Sequence, residues 1–177
     1  PNDSAMQRFN ALFASEDPVE RIVILTESTV EEQPLRTIVT YLRLLQSALA
    51  VRETATRETR LGQANAANTT KAAERLEQGV KEWRAKAEAA DRAHPILVEA
   101  DFRDAIERKD YSAATAIMQL AKESKRDPSQ SVLLESQLLA AQGKMREATA
   151  VLENALQTGI DNSVVYRALG SVLEQAG

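Results

Sequence analysis

Small and large apolar residues recur at one fixed interval in the C-terminal half of the 177-residue chain. The series Ala148, Leu152 and Ala155 has its counterpart 34 positions earlier in Ala114, Met118 and Ala121. A second series agrees at the same spacing, here called the repeat interval, in the pairs Val132 and Tyr166, Ser136 and Gly170, Leu139 and Leu173, and Gly143 and Gly177. An interval of this length is typical of an array of helix pairs, in which each repeat covers its neighbour.

The residue types at these positions fit helix packing. Small residues are expected where two helices cross closely, because a larger side chain would push the axes apart; these are Ala114, Ser136, Ala148 and Gly170. Large residues three or four positions away fill the groove beside each crossing. Gly143 suits the end of a first helix, and Asp127-Pro128 suits the start of the next pair. The pattern therefore predicts helical hairpins in tandem.

The segment Tyr166-x2-Leu169-Gly170-x2-Leu173 resembles the signature of the tetratricopeptide repeat (TPR) family, as does the middle unit from Val132 to Ala155. Two positions depart from the family pattern: Glu135 replaces a leucine, and Phe102 stands where a small residue is usual, so the first helix of its unit is expected to tilt. The resemblance covers residues 94–177, with units at 95–128, 129–162 and a partial 163–177. It implies a short TPR-like helix-pair array, an αα superhelix.

In this family the first helices of successive pairs line a groove that takes a peptide or a partner helix. Carried over by position, the resemblance implies a partner-binding groove lined by Glu99, Arg103, Leu133, Gln137, Arg167 and Ser171. Two alternatives stay open: the short array packs on the N-terminal half, or it self-associates. The second alternative concerns the apolar residues of the partial unit, for which we expect a self-association edge at Tyr166, Leu169, Val172 and Leu173.

Residues 1–33 are predicted to form short helices. Met6, Phe9, Leu12 and Phe13 form a stripe on one helical face. Asp17-Pro18-Val19-Glu20 is a helix start, since Asp accepts from exposed amides, Pro suits the first turn and Glu reaches back. Pro34 is expected to begin the next helix.

Residues 34–93 are predicted to form an antiparallel coiled-coil hairpin. Apolar residues follow heptad spacing in two series, Leu35, Ile38, Leu42, Leu45 and Leu49, then Ala73, Leu76, Val80, Trp83, Ala87 and Ala90. Paired in opposite directions, the two series meet at a turn beside Gly62. Between Arg52 and Ala72 the only large apolar side chain is Leu61, so the tip is either frayed and solvated, a partner contact, or part of one continuous helix that pairs with another chain.

Composition excludes several functions. The net charge is −4, with scattered Lys and Arg, which argues against nucleic acid as a partner. No apolar stretch approaches the ~18 residues that span a bilayer, so membrane insertion is not expected. The chain has no cysteine and one histidine, His94, so we expect no metal site, no cofactor and no enzymatic activity. A cytoplasmic and a bacterial periplasmic location both stay open.

The sequence therefore predicts an all-α, non-catalytic scaffold or adaptor that binds a protein or peptide, in the assembly of a larger complex. The rival interpretations are a secretion-type or assembly chaperone and a regulatory or sensor module of a longer chain. We expect the edge at residues 163–177 to be covered by a continuing chain or by a second copy, which would make a homodimer.

Overall fold

The computed structural model describes residue 7 and residues 10–12, 14–160 and 162–176, and all regular secondary structure among them is helical. The prediction of an all-α fold is confirmed. Eight of the helices in this part of the chain have the bounds α1 Pro18–Thr29, α2 Leu35–Arg60, α3 Ala66–Asp91, α4 Pro95–Glu107, α5 Tyr111–Ser124, α6 Pro128–Ala141, α7 Met145–Gln157 and α8 Ser163–Ala176. Met6, Phe9 and Phe13 of the predicted N-terminal stripe and Gly177 of the repeat lie outside the described residues.

Several of these helices have an aspartate as their N-cap residue. Asp17 Oδ1 accepts a hydrogen bond from the Val19 amide at 2.9 Å, and Asp127 Oδ1 accepts one from the Ser129 amide at the same distance. In both cases proline follows the cap at the first helical position, where its missing N–H leaves no bond unmade. These starts therefore follow from local sequence.

The chain divides into two compact units, Pro1–Arg92 and Ala93–Gly177. In the first unit, α2 and α3 form an antiparallel hairpin. Arg84 Nη1 near the end of α3 donates to the Tyr41 hydroxyl near the start of α2 at 3.2 Å. Close to the turn, Thr69 Oγ1 donates to Glu58 Oε2 at 2.6 Å, and Arg52 forms an ion pair with Glu77 between these contacts.

Helix α1 packs against both arms of this hairpin. Val19 of α1 joins Leu44, Ala48 and Leu76 in one apolar core. The approach to α3 is close at Gly79, where an added Cβ would lie 2.6 Å from Val19 Cγ2. Only a residue without a side chain lets α1 lie this near to α3.

The buried face of α2 differs from the predicted heptad series. Its buried apolar residues are Ile38, Tyr41, Leu44, Ala48 and Ala55. Leu49, predicted to face α3, is 64% exposed, so that assignment is wrong. Because α1 covers one side of the hairpin, the buried face turns toward α1 and leaves Leu49 outside. On α3, Ala73, Leu76 and Ala87 are buried in the predicted register, but Ala90 is exposed.

The second unit is a series of helices in which each packs on the next, and the first helices α4, α6 and α8 also contact one another in turn. Ala114, Ser136 and Ala148, predicted at helix crossings, are buried. Gly170, predicted to lie at a crossing, is exposed instead, and an added Cβ there would have no atom within 4 Å. Phe102, at the position where a small residue was expected, is buried in the apolar core that α4 forms with α5 and α6.

Candidate partner-binding groove

Helices α4, α6 and α8 place equivalent residues side by side, because their contacts are ordered along the chain and the repeat interval is constant. The six residues predicted for the groove all line two adjoining depressions on this face: Glu99, Arg103, Leu133, Gln137, Arg167 and Ser171. We call these two depressions together the groove. The structure therefore brings all six residues to one surface, although each helix contributes only two of them.

The larger depression has a volume of about 500 Å³. Buried or half-buried apolar side chains form its floor: Phe102, Ile106, Ala140, Ala168 and Val172. Exposed polar side chains stand around them: Glu99, Arg103, Glu107, Gln137, Ser171 and Gln175. An apolar floor with a polar rim is the usual composition of a protein interaction site.

The smaller depression has a volume of about 350 Å³ and shares Glu99, Gln137 and Ala168 with the larger one. Leu133 and Val164 supply apolar surface on α6 and α8. Gln130 Nε2 donates to the Pro95 carbonyl oxygen at 2.9 Å and so links α6 to the start of α4. The spacing of these two first helices is held in part by this bond.

The charges of the groove largely cancel. Arg103 Nη2 lies 3.0 Å from Glu99 Oε1, one helical turn away, and both side chains are about two-thirds exposed. Such an exposed pair contributes little to stability, but it leaves neither charge free to attract a ligand strongly. The remaining charged residues of the lining are Glu107 and Arg167, which have opposite signs. A ligand of low net charge fits this lining better than an acidic one.

Gln137 lies between the two depressions and lines both. Its side chain is exposed, and within the described part of the chain the amide makes no hydrogen bond. A free primary amide offers two N–H donors and a carbonyl acceptor. It can therefore bond to both the N–H and the C=O of one residue in an extended segment that crosses the groove.

A scan against protein-family models, a search of curated proteins and a search of solved structures each found no match.

One row of groove residues was missed by the sequence prediction. Glu107, Ala141 and Gln175 lie one helical turn after Arg103, Gln137 and Ser171 and line the larger depression. The signal was available, because these three residues are also separated by the repeat interval. The family pattern supplied two rows, and the helical period of about 3.6 residues would have supplied the third.

The four residues predicted for the self-association edge do not share one exposed surface. Tyr166 and Leu173 are 54% and 51% exposed, and Leu169 packs partly against the core of its unit. Val172 is buried in that core, so its assignment to an exposed edge is corrected. Its counterpart one repeat interval earlier, Leu138, is also buried, in the preceding core. Both residues face the preceding helix pair.

His94 caps α4, where its Nδ1 accepts a hydrogen bond from the Ile96 amide at 3.3 Å. Among the described residues no group of three or more His, Cys, Asp or Glu side chains could hold a metal ion. The helices of this part of the chain include none with the length and apolar character needed to cross a membrane.

Proposed function

We propose that this chain is a non-catalytic protein–protein interaction scaffold or adaptor, with a TPR-like array whose groove binds a peptide or helix of a partner protein in the assembly of a larger complex. The observation that carries the proposal is the meeting of all six family-derived groove residues on one face of three successive first helices. Residues chosen by position in a repeat would scatter if the repeat did not govern the packing.

The turns of the second unit support a TPR-like array. The Lys144 amide donates to the Leu139 carbonyl oxygen at 2.9 Å, and one repeat interval earlier the Asp110 amide donates to the Ala105 carbonyl oxygen at 2.8 Å. Such a bond from the residue after a left-handed helix end back to the last turn is a Schellman motif. The first helices of two successive pairs thus end in the same Schellman motif, at positions separated by the repeat interval.

The hairpin gives the scaffold a second element. Each arm has 26 residues and is therefore ~40 Å long at 1.5 Å per residue. Toward the tip the buried residues are alanines, Ala55 and Ala73, with threonines around them. We propose that the hairpin is a coiled-coil arm, in which the apolar contacts near α1 provide stability and the polar tip is free for a partner.

Photo-crosslinking tests the groove in cells that make the protein. A benzoyl-phenylalanine replaces Gln137 in the groove, and in a matched control it replaces Gln119, an exposed glutamine of α5 outside the depressions. We expect a discrete crosslinked partner from position 137 and not from position 119. Binding of the purified partner should then weaken at least about tenfold, ~1.4 kcal/mol, in Gln137→Ala.

Two results would contradict the proposal. The first is the same crosslinked products from both positions, since the capture would then be independent of the groove. The second is an unchanged affinity of Gln137→Ala and of the double variant Arg103→Glu, Arg167→Glu for the purified partner. Both variants change exposed side chains, so stability should move by no more than about 0.5 kcal/mol per site.

A further inference from the structure

Two charged residues of the groove form no ion pair with any other residue that the structure describes. They are Glu107, the last residue of α4, and Arg167, the fifth residue of α8, and both side chains are exposed. Arg167 Nε donates to the Ser163 carbonyl oxygen at 3.4 Å, which leaves both terminal nitrogens for a ligand. Because Glu99 and Arg103 neutralise each other at 3.0 Å, the groove keeps one carboxylate and one guanidinium for binding.

These two groups lie at opposite corners of the groove. Glu99 is the α4 counterpart of Arg167 at twice the repeat interval, and Glu107 follows Glu99 by two helical turns, ~12 Å along the helix. Helix α6 separates α4 from α8, and each step between packed helices adds about 8–10 Å. The diagonal is therefore roughly 20 Å. Exposed charges farther apart than about 8 Å are largely screened at physiological ionic strength, so Glu107 and Arg167 do not neutralise each other.

The end of α4 adds to the negative potential at Glu107. The last carbonyl groups of a helix together carry roughly half a negative elementary charge, and α4 ends at this residue. Arg108 and Lys109 follow it but do not line the groove, and Arg108 is paired with Asp104. A cationic group is therefore favoured at this corner, and an anionic group is favoured at the corner of Arg167.

Gln137 favours an extended backbone between the two corners. Its amide lies in the middle row of the groove, on the middle helix. Backbone N–H and C=O groups inside a helix are paired with each other, whereas those of one residue in an extended segment point to the same side and are open to a partner. Such a segment advances about 3.3 Å per residue, so about six steps cover the diagonal, and alternate side chains face the floor.

We propose that the groove binds an extended segment of a partner protein in which a basic and an acidic residue are about six positions apart, with apolar residues between them. The basic residue pairs with Glu107 and the acidic residue with Arg167. Apolar side chains on the same side of the segment pack on the floor at Ile106, Ala140 and Ala168. This inference rests on the proposed function and adds the chemistry of the segment that the groove selects.

Four synthetic heptapeptides, added to the intact chain, test the charge pattern. All are acetylated and amidated, with valine at the third and fifth positions and serine at the second, fourth and sixth. Their first and last residues are lysine and aspartate, aspartate and lysine, two lysines, or two aspartates. The two mixed peptides have opposite charge orders, so the test does not depend on the direction in which a segment crosses the groove.

Amide chemical shifts of the protein report where each peptide binds, including with weak affinity. We expect shift changes at Gln137 and its neighbours in the groove. The dissociation constant of the better mixed peptide should be at least about fivefold lower than that of either like-charged peptide, because a like-charged peptide meets repulsion at one corner.

Charge reversal in the chain should change which peptide binds best. Glu107→Lys makes both corners basic, so the peptide with two aspartates should become the tightest binder. Arg167→Glu makes both corners acidic and should favour the peptide with two lysines. Both positions are exposed, so the fold is retained. Glu123→Lys, at an exposed position of α5 outside the groove, is the matched control and should keep the preference for a mixed peptide.

Three results would overturn the proposal: no shift changes at the groove with millimolar mixed peptide, equal affinities for the four peptides, or the same change of preference in Glu123→Lys as in Glu107→Lys. The groove itself is tested separately, by crosslinking from position 137 and by Gln137→Ala with the purified partner. If that test succeeds and the peptides are not discriminated, the groove remains the binding site and the charge pattern is wrong. Capture that does not depend on position 137 contradicts the proposed function instead.

Discussion

Lys109 and Gly143 occupy the same position in successive helix pairs, and both have a left-handed backbone, with φ of 58° and 78°. The next turn repeats the arrangement, since Lys125 has φ of 52° and its equivalent in the following pair, Gly159, has φ of 87°. Glycine adopts this conformation freely, whereas a residue with a Cβ meets a steric cost of roughly 1–2 kcal/mol. The first pair therefore carries strain at both helix ends that the second pair avoids.

Exchanging these residues should change stability in opposite directions. Lys109→Gly should raise the free energy of unfolding by about 0.5–1 kcal/mol, and Gly143→Lys should lower it by about 1–2 kcal/mol. Side-chain packing does not contribute to these stability changes, because both positions are exposed and a Cβ on Gly143 would have no atom within 4 Å. Urea denaturation measures both changes. A loss of stability in Lys109→Gly would show that the lysine side chain contributes more than its backbone strain costs.

The helices of the hairpin show which residues of an element hold it in place. Leu44 is fully buried beside Val19 and Leu76, and Leu49, on the same helix, is 64% exposed. Truncation of a buried leucine leaves a cavity that neighbouring groups do not fill. Truncation of an exposed leucine leaves no cavity, because water takes its place.

Truncation of these two leucines tests which face of α2 packs. Leu44→Ala should cost roughly 2–5 kcal/mol, because it leaves a cavity between three helices. Leu49→Ala, the identical change at an exposed position of the same helix, should stay within about 0.5 kcal/mol. Thermal or chemical unfolding of both variants measures the difference. A larger loss of stability in Leu49→Ala than in Leu44→Ala would support the buried face that the heptad series predicted for α2.

The predicted all-α fold is confirmed, whereas the buried face of α2 differs from the predicted heptad series, and the reason is physical. The repeat interval encodes contacts between neighbouring helices, so it contains the packing information itself. A heptad pattern assumes two helices that share one face. Here a third helix, α1, also buries part of the hairpin, and the position that admits it is a glycine, Gly79, which a search for apolar residues passes over.

For the same reason, position in the repeat could predict which residues line the candidate groove. The charge balance and the burial of those residues could not be predicted in this way. Position in the repeat identified Arg103 as a lining residue, but only the structure shows that Glu99 neutralises it. Likewise, position alone cannot distinguish Ser136, which is buried, from Gly170, which is open. Burial depends on what covers a face, and that information lies in another helix.

At the scale of the whole molecule, the described residues contain three apolar cores, and each lies within one unit. The core around Val19 and Leu44 belongs to Pro1–Arg92, and the other two belong to Ala93–Gly177. Units of this size bury about 60% of the surface that their unfolded chains expose, which suffices for many small domains. Each unit thus has the means to fold alone.

Separately produced fragments 1–92 and 93–177 should each be helical and unfold cooperatively. Circular dichroism with a thermal scan measures both properties, and the intact chain is the reference. If the expectation holds, Leu44→Ala should lower the melting temperature of fragment 1–92, and Leu152→Ala, which removes a fully buried side chain of α7, should lower that of fragment 93–177. A fragment that gives a gradual, non-cooperative change would show that its core is insufficient by itself.

The order of contacts in the second unit also bears on how quickly it forms. Its helices pack on the next helix or on the next but one, so the chain closes only short loops during folding. Loop closure is the entropic barrier that slows proteins with distant pairings, and helical proteins with local contacts fold in microseconds to milliseconds. Folding of this unit can therefore begin at any helix pair and extend in both directions, and a nascent chain can complete each pair while the next is still being synthesised.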